Sequence, residues 1–281
     1  MAIKIYADNC CDLDKDVIED LGVKIFYVTT TIKEEIYKDR LDLSPTEFYQ
    51  LINEPGILPT TSQIPPAEFQ MEFEKVINET DDDIIYIAFS SGLSGTYQSA
   101  CLARDLVDPN RITIIDSKSA SVGLGLTVIR AAQAVKAGKS KAEVLAEIND
   151  NIERIEHIFI VGNFDMLKRG GRVSSTSATV GTLLNIKLLL HFVDGKIVPL
   201  EKAHGFKKAT KRMLEIMEER GDNISHQLIG INHSNDLEGA LKLKKLIQEK
   251  FGCQEFVISE IGAVIGSHVG AGTYSVFFLR K

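Results

Sequence analysis

Apolar and polar positions change rhythm once along the chain, near residue 155. Before that point short apolar runs alternate with amphipathic stretches. Ile3 to Asp8, Val23 to Thr30, Ile84 to Phe89 and Ile112 to Asp116 read as strands. Several are apolar at consecutive positions, as strands of a helix-covered sheet are. Between them, helices mark their own starts. Ser44-Pro45-Thr46-Glu47 sets a capping serine three residues before a glutamate with proline at the first helical position, and Ser140-Lys141-Ala142-Glu143 repeats the box. The pattern predicts an α/β unit with a largely parallel sheet.

Past Glu156 the pattern becomes that of an α+β unit. His157 to Val161 reads as a strand, and Leu188 to Val193 and Lys196 to Leu200 flank Asp194-Gly195, a pair suited to a hairpin turn. Amphipathic helices follow, from about Lys207 to Arg220 and from about Leu237 to Phe251, each stopped by a glycine (Gly221, Gly252) suited to a left-handed cap. Strands at His226 to Asn232, Glu255 to Glu260 and Tyr274 to Leu279 complete a mixed sheet. The expectation is two domains, 1–155 and 156–281.

The 281 residues carry 44% hydrophobic and 25% charged positions, at globular averages, which excludes a disordered or fibrous chain. No apolar run reaches the ~20 residues of a membrane helix; the longest, Leu183 to Phe192, is broken by Asn185 and Lys187. The start, Met-Ala-Ile-Lys-Ile-Tyr-Ala-Asp, lacks the apolar block of a secretory signal. Four cysteines without a C-x-x-C spacing offer neither a zinc nor a redox pair, so a cytoplasmic location is expected. A net charge of -7 argues against nucleic acid and anionic membrane surfaces as partners. Small molecules or proteins remain.

Chemistry concentrates where strands run into helices. Ile84 to Phe89 leads into Ser90-Ser91-Gly92-Leu93-Ser94-Gly95-Thr96, and strand carboxyl ends are where α/β sheets bind ligands. Ser94 then sits by a helix N-terminus, where free N–H groups favour an anion, or simply caps that helix. Pro59-Thr60-Thr61-Ser62-Gln63 offers three hydroxyls ahead of a helix beginning near Ala67, or an ordinary cap with a proline stop. A serine after a strand also suggests a nucleophile elbow, but Thr96 stands where G-x-S-x-G needs its second glycine. A serine acyl hydrolase using Ser94, with one of His191, His204, His226, His233 or His268 as base, is the alternative function. Gly123-Leu124-Gly125 lacks the third glycine of a dinucleotide fingerprint and fits a closely packed helix better. Leu167-Lys168-Arg169-Gly170-Gly171-Arg172-Val173-Ser174 either holds phosphate or closes a surface loop. Lys207, Lys208, Lys211 and Arg212 make a solvated helix face or a docking patch.

Taken together, Thr60-Thr61-Ser62-Gln63, Ser90 through Ala100, Ile115 through Ser121, Arg169-Gly170-Gly171-Arg172 and Ile261-Gly262 through Gly266-Ser267-His268-Val269-Gly270 resemble the ordered motifs of the DegV family over nearly the whole chain. The resemblance implies a two-domain fold holding a long-chain, palmitate-like fatty acid in a buried apolar tunnel. The carboxylate then meets hydroxyls at the domain junction, and no catalytic residue, metal or cofactor is needed. Matched residue by residue, the carboxylate-binding positions are Thr61 and Ser94, with Ser62 and His268 beside them. It further implies a lipid carrier that presents its acid to a fatty acid kinase, with Arg169, Arg172 and His204 as docking candidates. Two departures stand out. His204, in Glu201-Lys202-Ala203-His204-Gly205-Phe206, lies in a stretch where many members carry arginine, so a permanent cation is missing. Ile64 stands where a proline usually follows the Thr-Ser-Gln motif, with Pro65 one step later.

Overall fold

A computed structural model describes residues 2–162, 164–173 and 186–281. Ser174, the end of the basic glycine segment, and residues 183–185 of the longest apolar tract lie outside the described residues.

Four parallel strands form the first sheet in the order β2-β1-β6-β7: β1 (Ile3–Asp8), β2 (Lys24–Phe26), β6 (Asp83–Ala88) and β7 (Ile112–Asp116). In β6 every residue from Ile84 to Ala88 is buried, which explains a run with no polar alternation. Helices α1 (Lys15–Leu21), α3 (Pro66–Glu79), α4 (Thr96–Val107), α5 (Val122–Lys136) and α6 (Lys141–Arg154) accompany this sheet.

Six strands form the second sheet, β10-β9-β8-β13-β11-β12: β8 (Ile155–Ile160), β9 (Ile186–Val193), β10 (Lys196–His204), β11 (Leu228–His233), β12 (Glu255–Glu260) and β13 (Tyr274–Leu279). Only β11 and β12 pair in parallel, so the sheet is mixed as expected. The β9–β10 hairpin turns at Asp194 and Gly195, whose φ values of 47° and 75° suit a primed turn. Helix α8 (Gly205–Arg220) packs against β8, β9 and β10, and α9 (Leu237–Phe251) against β11 and β12. Both serine capping boxes form, at Ser44 before α2 (Pro45–Ile52) and at Ser140 before α6.

Two expectations need correction. The run Val23 to Thr30 is not one strand. Its first part, β2, pairs with β1, whereas its end opens β3 (Thr29–Ile32), which joins β4 (Glu35–Lys38) and β5 (Thr60–Ser62) in a third sheet. Between the two, the Asn9 side-chain amide accepts from Val28 N and donates to Val28 O, both at 2.9 Å, standing in for a strand partner. Gly221 has φ of -69°, so it is not a left-handed cap. A Cβ there would lie 2.4 Å from Ile224 Cδ1, and close packing rather than dihedral freedom selects glycine.

The two large sheets are joined by α5, which touches β1 and β6 on one side and β8 and β11 on the other. It is apolar around most of its circumference, as a helix buried on all sides must be. A Cβ on Gly125 would lie 2.8 Å from the Cys11 carbonyl oxygen, so the glycine pair serves close packing. One apolar core runs continuously from Ile5 in β1 to Phe277 in β13.

Candidate functional site

β5 fixes the first hydroxyl. Thr61 pairs with Thr30 in register, and strand alternation turns Thr61 inward while Thr60 and Ser62 point to solvent. The Thr61 Oγ1 lies 3.0 Å from His268 Nε2. His268 belongs to α10 (Ala263–Val269), a short helix whose start is held by acids: Asp39 Oδ2 accepts from Val264 N at 3.1 Å, and Asp12 Oδ1 accepts from Gly262 N at 3.0 Å. Burial, and then the Arg172 guanidinium, lower the His268 pKa to about 4. The ring is therefore neutral at neutral pH, and one nitrogen can accept the Thr61 proton while the other carries its own. Its Nδ1 has no hydrogen-bond partner among the described residues.

The second hydroxyl sits in the turn after β6. Ser90 Oγ donates to the Gly195 carbonyl at 2.7 Å, and Asp116 accepts from both Ser91 N (3.0 Å) and Ser91 Oγ (2.5 Å). So pinned, the turn presents Ser94, whose Oγ accepts from Thr96 N at 3.2 Å and lies 3.0 Å from Thr96 Oγ1. Gly92 must be glycine here, because a Cβ would come within 2.7 Å of the Gly195 carbonyl oxygen. The two hydroxyl segments are stitched together: Gln63 Nε2 donates to Ser99 Oγ at 3.2 Å, and Ile64 N donates to Thr96 Oγ1 at 3.4 Å. Ile64, in place of the expected proline, uses an N–H that proline lacks.

Thr61, Ser94, His268 and Arg172 border one cavity. Its volume is about 210 Å³. Its remaining walls are mainly apolar, with Leu93 from the turn after β6, Val264 from α10, and Phe159, Phe192 and Phe277 from β8, β9 and β13 among them. A second space of about 280 Å³ adjoins at Thr61, Arg172 and His268 and adds Arg169, Met166 and Leu58. The α7 helix (Phe164–Arg169) and Gly171, with φ of 67°, bring the two arginines there. Gly170 lets that backbone approach His268, since a Cβ would lie 2.4 Å from Nδ1.

Not every candidate joins them. Ser62 is exposed and borders neither space, because it is one residue out of phase with Thr61. His204 is exposed at the end of β10, paired with Ile186, and also borders neither. His268 bonds Thr61, and Ser94 bonds Thr96, so among the described residues Ser94 makes no hydrogen bond to a histidine such as an acyl hydrolase's nucleophile makes to its base. Arg172, singled out as a docking residue, borders the apolar cavity as well as the basic space. Gln63 and Thr96 were missed as the residues tying the loops together, and their signal was only that each is a polar side chain beside a motif hydroxyl. Among the described residues no group of His, Cys, Asp or Glu could hold a metal ion, and no helix is long and apolar enough to cross a membrane.

A parallel α/β sheet and a mixed sheet enclosing an apolar cavity with a hydroxyl-bearing end define the class. The family model described as "Uncharacterised protein, DegV family" matches residues 2–281, and the chain belongs to that family. A DegV domain-containing protein of Clostridium perfringens is 41% identical over 98% of this chain and 96% of its own length. Among solved structures, a DegV family protein of Thermus thermophilus described for fatty acid binding superposes with a TM-score of 0.90 at 33% identity, covering 99% of each chain. DegV of Bacillus subtilis, described as a fatty acid binding protein, gives 0.89 at 32% identity over the whole of both chains.

Proposed function

We propose that this protein binds a long-chain fatty acid, its tail in the apolar cavity and its carboxylate at Thr61 and Ser94, and carries it to an acceptor. The observation that carries the reading is that two hydroxyls far apart in sequence end on one mainly apolar cavity. A solid core there would have left the tail no place. The relatives described for fatty acid binding support it from outside the chain.

The physical balance suits a carrier. A palmitate-like tail has about 15 carbons beyond the carboxyl group, worth roughly 12 kcal/mol gross at ~0.8 kcal/mol per buried CH₂. Association and ordering oppose this by about 4 to 15 kcal/mol. Each hydrogen bond to the charged carboxylate adds about 1.5 to 3 kcal/mol. The tail therefore dominates affinity, and the hydroxyls orient the head group. A neutral His268 holds Thr61 in place without adding charge of its own, while Arg172 supplies the nearby cation. The basic space with Arg169 and Arg172 lies against the same head group, where a fatty acid kinase would deliver a phosphoryl group. That partner is the finer part of the reading, and His204 is set apart from it by position.

Native mass spectrometry of the T61A/S94A double variant tests the carboxylate site. At limiting palmitate, occupancy should fall by about tenfold or more, the loss of one to two charge-assisted bonds, while saturating acid still fills the cavity. Occupancy equal to the wild type would remove both hydroxyls from the site. A hydrolase would instead label Ser94 covalently with a fluorophosphonate.

A further inference from the structure

We infer that the Phe192 ring, stacked on His157, is the end wall of the acyl slot and sets the longest tail the protein accepts. This rests on the fatty acid reading above. The strands give the slot its direction. Thr273, just after the helix that carries His268, borders the cavity, and Ser275 and Phe277 follow it on the same face of β13. Four residues separate Thr273 from Phe277, about 13 Å along that wall. Phe277 is in register with His157 of β8 and meets its ring edge-on at 5.5 Å and 85°. Phe192 lies flat against the other side, centroid to centroid 4.5 Å at 22°.

Behind that ring lies a different environment. A separate recess of about 670 Å³ is bordered by Phe192 and His157 together with Lys118, Arg154, Asp194 and Arg280. Phe192 is the one described residue that borders both spaces. A methyl end stopping at Phe192 stays among apolar side chains, whereas one passing it enters a charged space open to water and gains nothing from burial. The wall is also held. His157 is buried, its Nε2 lies 2.5 Å from Ser119 Oγ, and Gly123 of α5 crosses so closely that a Cβ would sit 2.6 Å from that nitrogen. A ring stacked on so fixed a plate has little room to swing aside.

The test is a competition among saturated straight-chain acids of about 12 to 22 carbons, read by native mass spectrometry on the wild type, F192A and F192L. Wild-type affinity should climb with chain length and then break. In F192A the break should move outward by about four carbons, the space of the removed ring, with about a tenfold gain for acids beyond the wild-type break. F192L should move it the same way by less, and it decides the matter if the alanine variant does not fold. A wild-type profile without a break, or a break unmoved in the folded variants with acid still bound, overturns the wall and leaves the fatty acid reading standing. If the wild type binds none of these acids, that reading fails and this inference with it.

Discussion

His157 illustrates how a single buried side chain ties the site to pH. Burial pushes its pKa from the ordinary 6.5 down to about 4, so the folded protein refuses a proton that the unfolded chain accepts. The sign follows: its contribution is intact above pH 6.5 and is lost as pH falls toward 4. Relative to H157Q, the wild type should lose about 2 kcal/mol of stability between pH 7.5 and pH 5, measured as the pH slope of thermal or urea unfolding. Parallel slopes for the two proteins would mean that the imidazole titrates in the fold as it does in the unfolded chain. His268 is depressed to the same extent by burial and by Arg172, and it stays neutral beside Thr61 over the same range.

At the scale of elements, the turns and caps do what their local chemistry asks. The Ser140 hydroxyl accepts from Glu143 N, and the Glu143 carboxylate accepts from Ser140 N at 2.8 Å, closing the box at the start of α6. S140A should cost about 1 kcal/mol in urea unfolding with no change in acid binding, because α6 borders neither the cavity nor the basic space. The Ser90 to Thr96 turn is different. Its geometry is imposed by Asp116 from the neighbouring strand and by the hairpin tip at Gly195, more than 100 residues away in the chain. Local sequence marks it as a turn but cannot say where its hydroxyl points.

Across the whole molecule the two halves are fastened beside the cavity by a buried polar junction. Asp12, fully buried, accepts from Gly262 N and from Ser121 Oγ and faces Arg40 at 3.8 Å; Arg40 in turn bonds Asp14 at 3.0 Å and Ser259 at 3.1 Å. Burial outweighs Arg40 and raises the Asp12 pKa to about 7. Removing that carboxyl group strands the buried Gly262 N–H and takes away an acceptor of the Ser121 hydroxyl, so D12A should lower stability by about 3 kcal/mol in urea unfolding. Because Gly262 begins the helix that carries His268, the variant should also weaken acid binding. Unchanged stability and binding would show that the junction is incidental to both.

Much of the fold was legible because strands and helices leave short-range periodicities. The bounds of β1, β7, α9, β12 and β13 coincide with their apolar runs, and the break near residue 155 falls where the second sheet begins. Val23 to Thr30 was not legible as two strands, since its division depends on Asn9 replacing a strand partner from 19 residues away. The candidate site divides along the same line. Thr61, Ser94, His268 and the two arginines were visible as residue types in turns and motifs, and so were Ser62, beside Thr61, and His204, despite its departure from the usual arginine. Facing decided between them, and facing depends on register: one residue of β5 separates a hydroxyl on the cavity from one in water. The chain alone thus determined which elements form, their order and the chemistry of their ends, because those properties depend on neighbours within a few residues. The cavity, its second arginine-lined space and the closure at Phe192 arose only when two sheets met across α5, because empty volume belongs to no single segment.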